Sequence, residues 1–227
     1  MSKSCPIKGV AISEDCKECT SKECKKAMKY KTICIGIDQS YGNTGISLCA
    51  DGVLKKVKSI QLLNYKNHTE QRKAIQKELD KVCRACLPIA EKVVCVIERI
   101  RLFSQGFVNI NYIKSIGALD ATIKDKMYEY DIPVFSVDTR CWKASVIGTS
   151  KGKSNKYGVP EEKWPTVLWL LKKGFEDSIL IEVPGRKTKG TFERNGVKYM
   201  YNNDAADSAA IASFWFIGNH DKLEEVK

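Results

Sequence analysis

Two short apolar runs organise the hydrophobic pattern of this chain. The first, Thr32-Ile33-Cys34-Ile35-Gly36-Ile37-Asp38, ends in a carboxylate, and the second, Val93-Val94-Cys95-Val96-Ile97, ends in Glu98. Both read as strands, and the second, a continuous apolar run, predicts a buried parallel strand. After the first run, Gln39 to Asn43 is rich in turn residues, and Thr44–Cys49 reads as a second strand. Asp51-Gly52 then marks a hairpin turn, and Val53–Leu62 a third strand. Between the two runs the rhythm changes. Over Thr69–Lys92 it becomes helical, with Ala74, Leu79, Val82, Cys83, Cys86 and Ile89 on or near one face. Beyond Glu98 the pattern predicts a helix over Asn109–Tyr130, a strand over Val134–Val137 and a short helix over Thr139–Ile147. A helix over Pro160–Lys173 follows, with Pro160 at its start. Asn195-Gly196 signals a hairpin within Ile179–Tyr201, and Asp204–Ile217 reads as a closing helix.

Three strands joined as hairpins, then strand and helix in alternation, predict an α/β fold: a mixed sheet with helices on both faces. Such sheets carry functional residues at the carboxyl ends of their parallel strands, where Asp38 and Glu98 fall.

Composition narrows the function. Of 227 residues, 43% are apolar and 29% charged, enough for a packed core and incompatible with wholesale disorder. Lys and Arg number 38 against 27 acids, a net charge of +11, which favours polyanions: nucleic acid first, an anionic membrane surface second. No run approaches the roughly 18 apolar residues of a membrane span, and Met1–Lys8 has no signal-peptide core. The chain therefore reads as cytoplasmic, with no membrane partner, and its ten cysteines read as thiols or metal ligands instead of disulfides.

Four of those cysteines, Cys5, Cys16, Cys19 and Cys24, lie in residues 1–31, a Lys-, Glu- and Ser-rich segment with too few large apolar residues to fold alone. Their C-x10-C-x2-C-x4-C spacing allows four thiolates on one structural Zn2+. The plainer alternative is a floppy leader. Cys34, Cys49, Cys83, Cys86 and Cys95 sit in strands or on an apolar helix face and read as core.

The acids carry the chemistry. Asp38 and Glu98 end apolar strands, where charge is least expected. Asp204 and Asp207, three apart on the last helix, share a face, and Ala205, Ala206, Ala209, Ala210 and Ala212 make that helix slim enough to press onto a sheet. Four crowded carboxylates repel, and divalent cations offset the repulsion; oxygen donors without imidazole favour Mg2+ or Mn2+. Two such ions about 3.5–4 Å apart can activate water and stabilise a leaving oxygen in phosphodiester hydrolysis. Taken singly, three of the four acids have ordinary roles: Asp204 as a helix cap, Asp38 in a turn, Glu98 paired with Arg99 or Arg101.

These residues resemble the RuvC-type Holliday junction resolvases of the ribonuclease-H-like superfamily. Ile35-Gly36-Ile37-Asp38-Gln39-Ser40 with Thr44-Gly45 is similar to their first strand and turn, and Val96-Ile97-Glu98-Arg99-Ile100 to their second acidic strand. Ile132–Phe135 and Trp142–Gly148 are similar to the strand and helix that follow, and Asn203–Ala212 to the closing helix. The likeness runs in order from about Ile33 to Ile217. It implies a homodimeric, two-metal endodeoxyribonuclease acting on four-way or branched DNA, with Asp38, Glu98, Asp204 and Asp207 as ligands. It also implies Lys143 and Lys153 as basic residues near the scissile strand, and Phe103 as a candidate stacking residue after the second acid. Lys151 and Lys156 of the basic loop between Gly148 and Gly158 are expected to join Lys143 and Lys153 on phosphates. The cysteine-rich 1–31 and an insert near 179–202, with Arg186, Lys187, Lys189, Arg194 and Lys198, depart from the common pattern of the 32–227 domain. Two other classes compete: a zinc-stapled nucleic-acid-binding protein without catalysis, and an actin- or sugar-kinase-type nucleotide-binding protein. Metal-dependent nicking of branched DNA separates all three.

Overall fold

The computed structural model describes residues 29–40, 42–100, 110–148, 157–183, 190–217 and 220–226. The four N-terminal cysteines, Phe103, Lys151, Lys153, Lys156, Arg186, Lys187 and Lys189 lie outside these residues.

The chain opens with β1 (Tyr30–Asp38), β2 (Asn43–Ala50) and β3 (Val53–Gln61), a meander whose tight turn holds Asp51 and Gly52 at positive φ. Helix α1 (His68–Cys86) leads to β4 (Ala90–Glu98), and α2 (Ile110–Glu129) precedes β5 (Val134–Val137). Helix α3 (Thr139–Trp142) continues as one π turn, Lys143–Ile147, closed by Gly148 at φ 80. Then come α4 (Trp164–Lys172), α5 (Glu176–Ile179), β6 (Leu180–Glu182), β7 (Phe192–Arg194), β8 (Val197–Tyr201), α6 (Asn203–Phe214) and β9 (Glu224–Val226).

Six strands form one sheet in the order β3-β2-β1-β4-β5-β9. The β1–β4–β5 centre is parallel; β2, β3 and β9 run antiparallel to their neighbours. This is the expected mixed sheet. Alternate residues of β1 divide the core. Ile33, Ile35 and Ile37 meet α1 and α2 through Ile75, Leu79, Ile116, Leu119 and Ile123. Cys34, with Val94 and Val96 of β4, meets α6 and Trp142 on the other face.

Several boundaries differ from the sequence pattern. The first long helix ends at Cys86, because Pro88 opens a 3-10 turn, and Ala90–Lys92 belong to β4. The helix expected from Pro160 starts at Trp164, with Pro165 in the first turn, where a missing N–H costs nothing. The insert is a second, three-stranded sheet, β6-β8-β7, with Asn195 and Gly196 both at positive φ in the expected hairpin turn. The short acidic strand β9 is an addition the pattern does not signal. Among the described residues no helix is long and apolar enough to cross a membrane.

Candidate active site

Strand periodicity brings the first two acids together. Side chains two apart share a face, so Asp38 follows Cys34 and Gly36 toward α6, and Glu98 follows Val94 and Val96 to the same side. β1 and β4 are parallel with Ile37 opposite Ile97, which sets Asp38 beside Glu98 at the carboxyl ends.

The other two acids arrive on α6, which lies on β1 and β2 at backbone distance. A Cβ at Gly36 would overlap the backbone of Ser208 and Ala212, and one at Gly45 that of Asp204. Ser47 and Ser208 seal the contact with a 2.7 Å hydroxyl hydrogen bond. The helix cap is Asn202, whose side chain accepts from the Ala205 N–H at 3.0 Å. Asp204 is thereby free of the capping role and turns into the site.

Each carboxylate has a protein partner or a cause for strain. Glu98 accepts from the Thr139 hydroxyl and, at 3.2 Å, from the Trp142 indole N–H. It does not pair with Arg99, which instead reaches Glu224 at 2.6 Å. Asp204 accepts from the Ser40 hydroxyl at 3.3 Å. Asp207 is 1% exposed; its Oδ2 lies 2.5 Å from Lys163 Nζ, and its Oδ1 has no partner among the described residues. Asp38 is 8% exposed. Burial first, then the charges of Asp207, Glu98 and Asp204, hold its carboxyl well above the usual range. Burial likewise raises Glu98, and it pushes Asp204 up to about 6 against the opposing charge of Lys163. The four acids thus sit in one another's field.

Lys163 lies in the cluster, and the sequence pattern does not mark it. Burial works against its charge, yet Asp207, Asp38 and Asp204 raise its pKa above the ordinary lysine value. It is the cation inside the acid cluster. In the sequence it is one lysine among 38 Lys and Arg, three residues after Pro160, with nothing to mark it. Lys143 takes a different position. It is buried, its Nζ donates to the Glu162 carbonyl at 3.3 Å and lies 5.3 Å from the Trp142 ring centre. It therefore ties the π turn to the turn that carries Lys163.

The donor set suits a hard divalent cation: four carboxylates, no imidazole, and a buried Asp207 oxygen with nothing to bind. Among the described residues, however, no three acids, histidines or cysteines converge as a formed metal cage. Thr139 and Trp142 hold Glu98, Ser40 holds Asp204 and Lys163 holds Asp207, so the protein's own donors occupy those oxygens.

The sheet order, the helices on both faces and the slim closing helix define a ribonuclease-H-like α/β fold of the RuvC type. No protein-family model and no curated protein sequence matches this chain. Solved structures do. One is T. thermophilus RuvC in complex with Holliday junction substrate, with TM-score 0.53 and 14% identity over 86% of this chain and 99% of that one. Another is a Thermus thermophilus RuvC structure, with TM-score 0.51 and 15% identity over the same shares. At that identity, what the chains share is the fold.

Proposed function

We propose that this protein is a metal-dependent, structure-selective endodeoxyribonuclease that resolves Holliday junctions or other branched DNA. The observation that carries the reading is the cluster itself: Asp38, Glu98, Asp204 and Asp207, from three elements remote in sequence, gathered in one partly buried field around Lys163. An acid cluster alone would repel DNA. A chain of net charge +11 has reason to keep one only where the acids hold cations against phosphate. Mg2+ or Mn2+, two per site, held by those four carboxylates, would supply an activated water and charge stabilisation at the leaving oxygen.

The chain's own groups do the rest. Thr139 and Trp142 fix the Glu98 carboxylate, so it is presented in one orientation. Gly36 and Gly45 set the depth of α6 and so the approach of Asp204 and Asp207 to Asp38. Lys163 balances Asp207, and its side chain is a third exposed, so an arriving phosphate can approach it. A homodimer, the division into a 1–31 segment and a 32–227 nuclease domain, and a structural Zn2+ on Cys5, Cys16, Cys19 and Cys24 complete the reading.

A comparison of four-way, three-way and linear duplexes at one salt concentration, with Mg2+ and with chelator, tests it. The reading requires Mg2+-dependent cleavage with four-way or three-way DNA preferred. Binding without cleavage of any of them would favour the non-catalytic class.

A further inference from the structure

Arg99 follows Glu98, the last residue of β4. Its backbone is fixed, the N–H donating to the Val137 carbonyl at 2.8 Å. Its side chain stands between two clefts. One, about 200 Å³, is lined by Asp38, Glu98 and Thr139. The other, about 320 Å³, runs to Asp120, Lys124 and Ser136. Glu98, Arg99 and Ile100 line both, so the clefts share a wall.

The guanidinium is only half engaged. Nη2 pairs with Glu224 Oε2 at 2.6 Å, while Nε is buried with no partner among the described residues. Nε and Nη2 lie along one edge of the guanidinium, the edge that takes two oxygens side by side. Glu224 uses half of it. Leaving a buried donor idle is costly, so the site is built for a better anion than the one it holds. Glu224 is 69% exposed, on a three-residue strand, and such a surface pair holds weakly. Nearby, Lys124 is committed to Asp120 of the same helix at 2.5 Å, which leaves Arg99 as the exchangeable cation among the described residues that line the two clefts.

We infer that Arg99 is a phosphate-binding residue beside the carboxylate cluster, and that Glu224 is a stand-in anion displaced by a DNA phosphodiester. The two non-bridging oxygens of that phosphate would fill both edge donors. The inference rests on the nuclease reading for its ligand, and it adds a subsite where the strand leaves the acid cluster.

The test is four-way junction binding by the full chain, with Ca2+ in place of Mg2+, across a range of salt. Glu224→Gln should tighten binding about 2- to 5-fold, the scale of releasing an exposed ion pair. Arg99→Gln should weaken binding and lower the log–log salt slope by about 0.9. Arg99→Lys should keep the slope but not the affinity, since it retains the charge and loses the paired edge. In the double variant the gain from Glu224→Gln should vanish. An equal gain in both backgrounds would mean that Glu224 acts only as bulk negative charge, and would overturn the inference. So would an unchanged slope in folded Arg99→Gln. Either result leaves the nuclease reading standing. Failure of all variants and of the parent to bind any DNA would remove that reading, and this inference with it.

Discussion

Lys163 sets a positive charge against the buried acids of the site. Lys163 is 33% exposed at its side chain, whereas Asp207 is 1% exposed, so the acid depends on the lysine more than the reverse. Breaking a fully buried pair by removing one partner costs about 3–5 kcal/mol. The cost here should be smaller, because solvent reaches Lys163. Lys163→Met should therefore lower the melting temperature in chelator, and Mg2+ should recover much of the loss. A melting temperature indifferent to Mg2+ in this variant would count against cation binding at Asp207. The same acids set a pH dependence. Asp38, Glu98 and Asp204 have raised folded-state pKa values, so the folded chain holds protons more tightly than the unfolded one. Their contribution is favourable below the unfolded value of about 4. It is lost as pH rises through the folded values, about 6 for Asp204. Stabilisation by Mg2+, measured as the difference with and without the ion, should be small near pH ~4.5 and large near pH ~8. Taking the difference cancels groups of opposite sign, such as Glu78, which Lys58 and Lys81 hold below its usual range.

At the level of elements, the site depends on how closely α6 lies on β1 and β2. Gly45→Ala would drive a Cβ into the Asp204 backbone and Gly36→Ala one into that of Ser208 and Ala212. Overpacking of this kind costs about 1–3 kcal/mol. Cleavage should fall further than stability in Gly45→Ala, because the displaced residue is itself in the acid cluster; paired thermal melts and nicking rates check this. Much of this geometry was legible in the sequence. Apolar runs ending in Asp38 and Glu98 gave two buried parallel strands, and the alanines of Asn203–Ala212 gave a helix able to press inward. What escaped was tertiary. Nothing local tells Lys163 from its neighbours, or shows that Thr139 and Trp142 grip Glu98. β9 is Glu224-Glu225-Val226, a pattern with no apolar alternation, and it pairs only because β5 offers an edge. Helical periodicity over-ran Cys86 because Leu87 and Ile89 keep the apolar count while Pro88 changes the turn.

For the whole molecule, the proposed function separates the positive charge, which would hold phosphates, from the acid cluster, which would hold cations. Phosphate contacts make log affinity fall with log salt by about 0.9 per contact on duplex DNA. Replacing Lys151, Lys153 and Lys156 with Ala should flatten that slope, and an unchanged slope would place the DNA elsewhere. The zinc site proposed on Cys5, Cys16, Cys19 and Cys24 requires about one zinc per chain by elemental analysis, lost in Cys16→Ser with Cys19→Ser. Catalysis at the carboxylates is what Asp38→Asn probes. The substitution removes one charge from the field of Glu98, Asp204 and Asp207 while leaving the strand and its neighbours in place. Assayed on a four-way junction with Mg2+, the variant should bind at least as tightly as the parent and cut nothing. Full Mg2+-dependent cutting by Asp38→Asn would exclude Asp38 as a ligand of the catalytic cations.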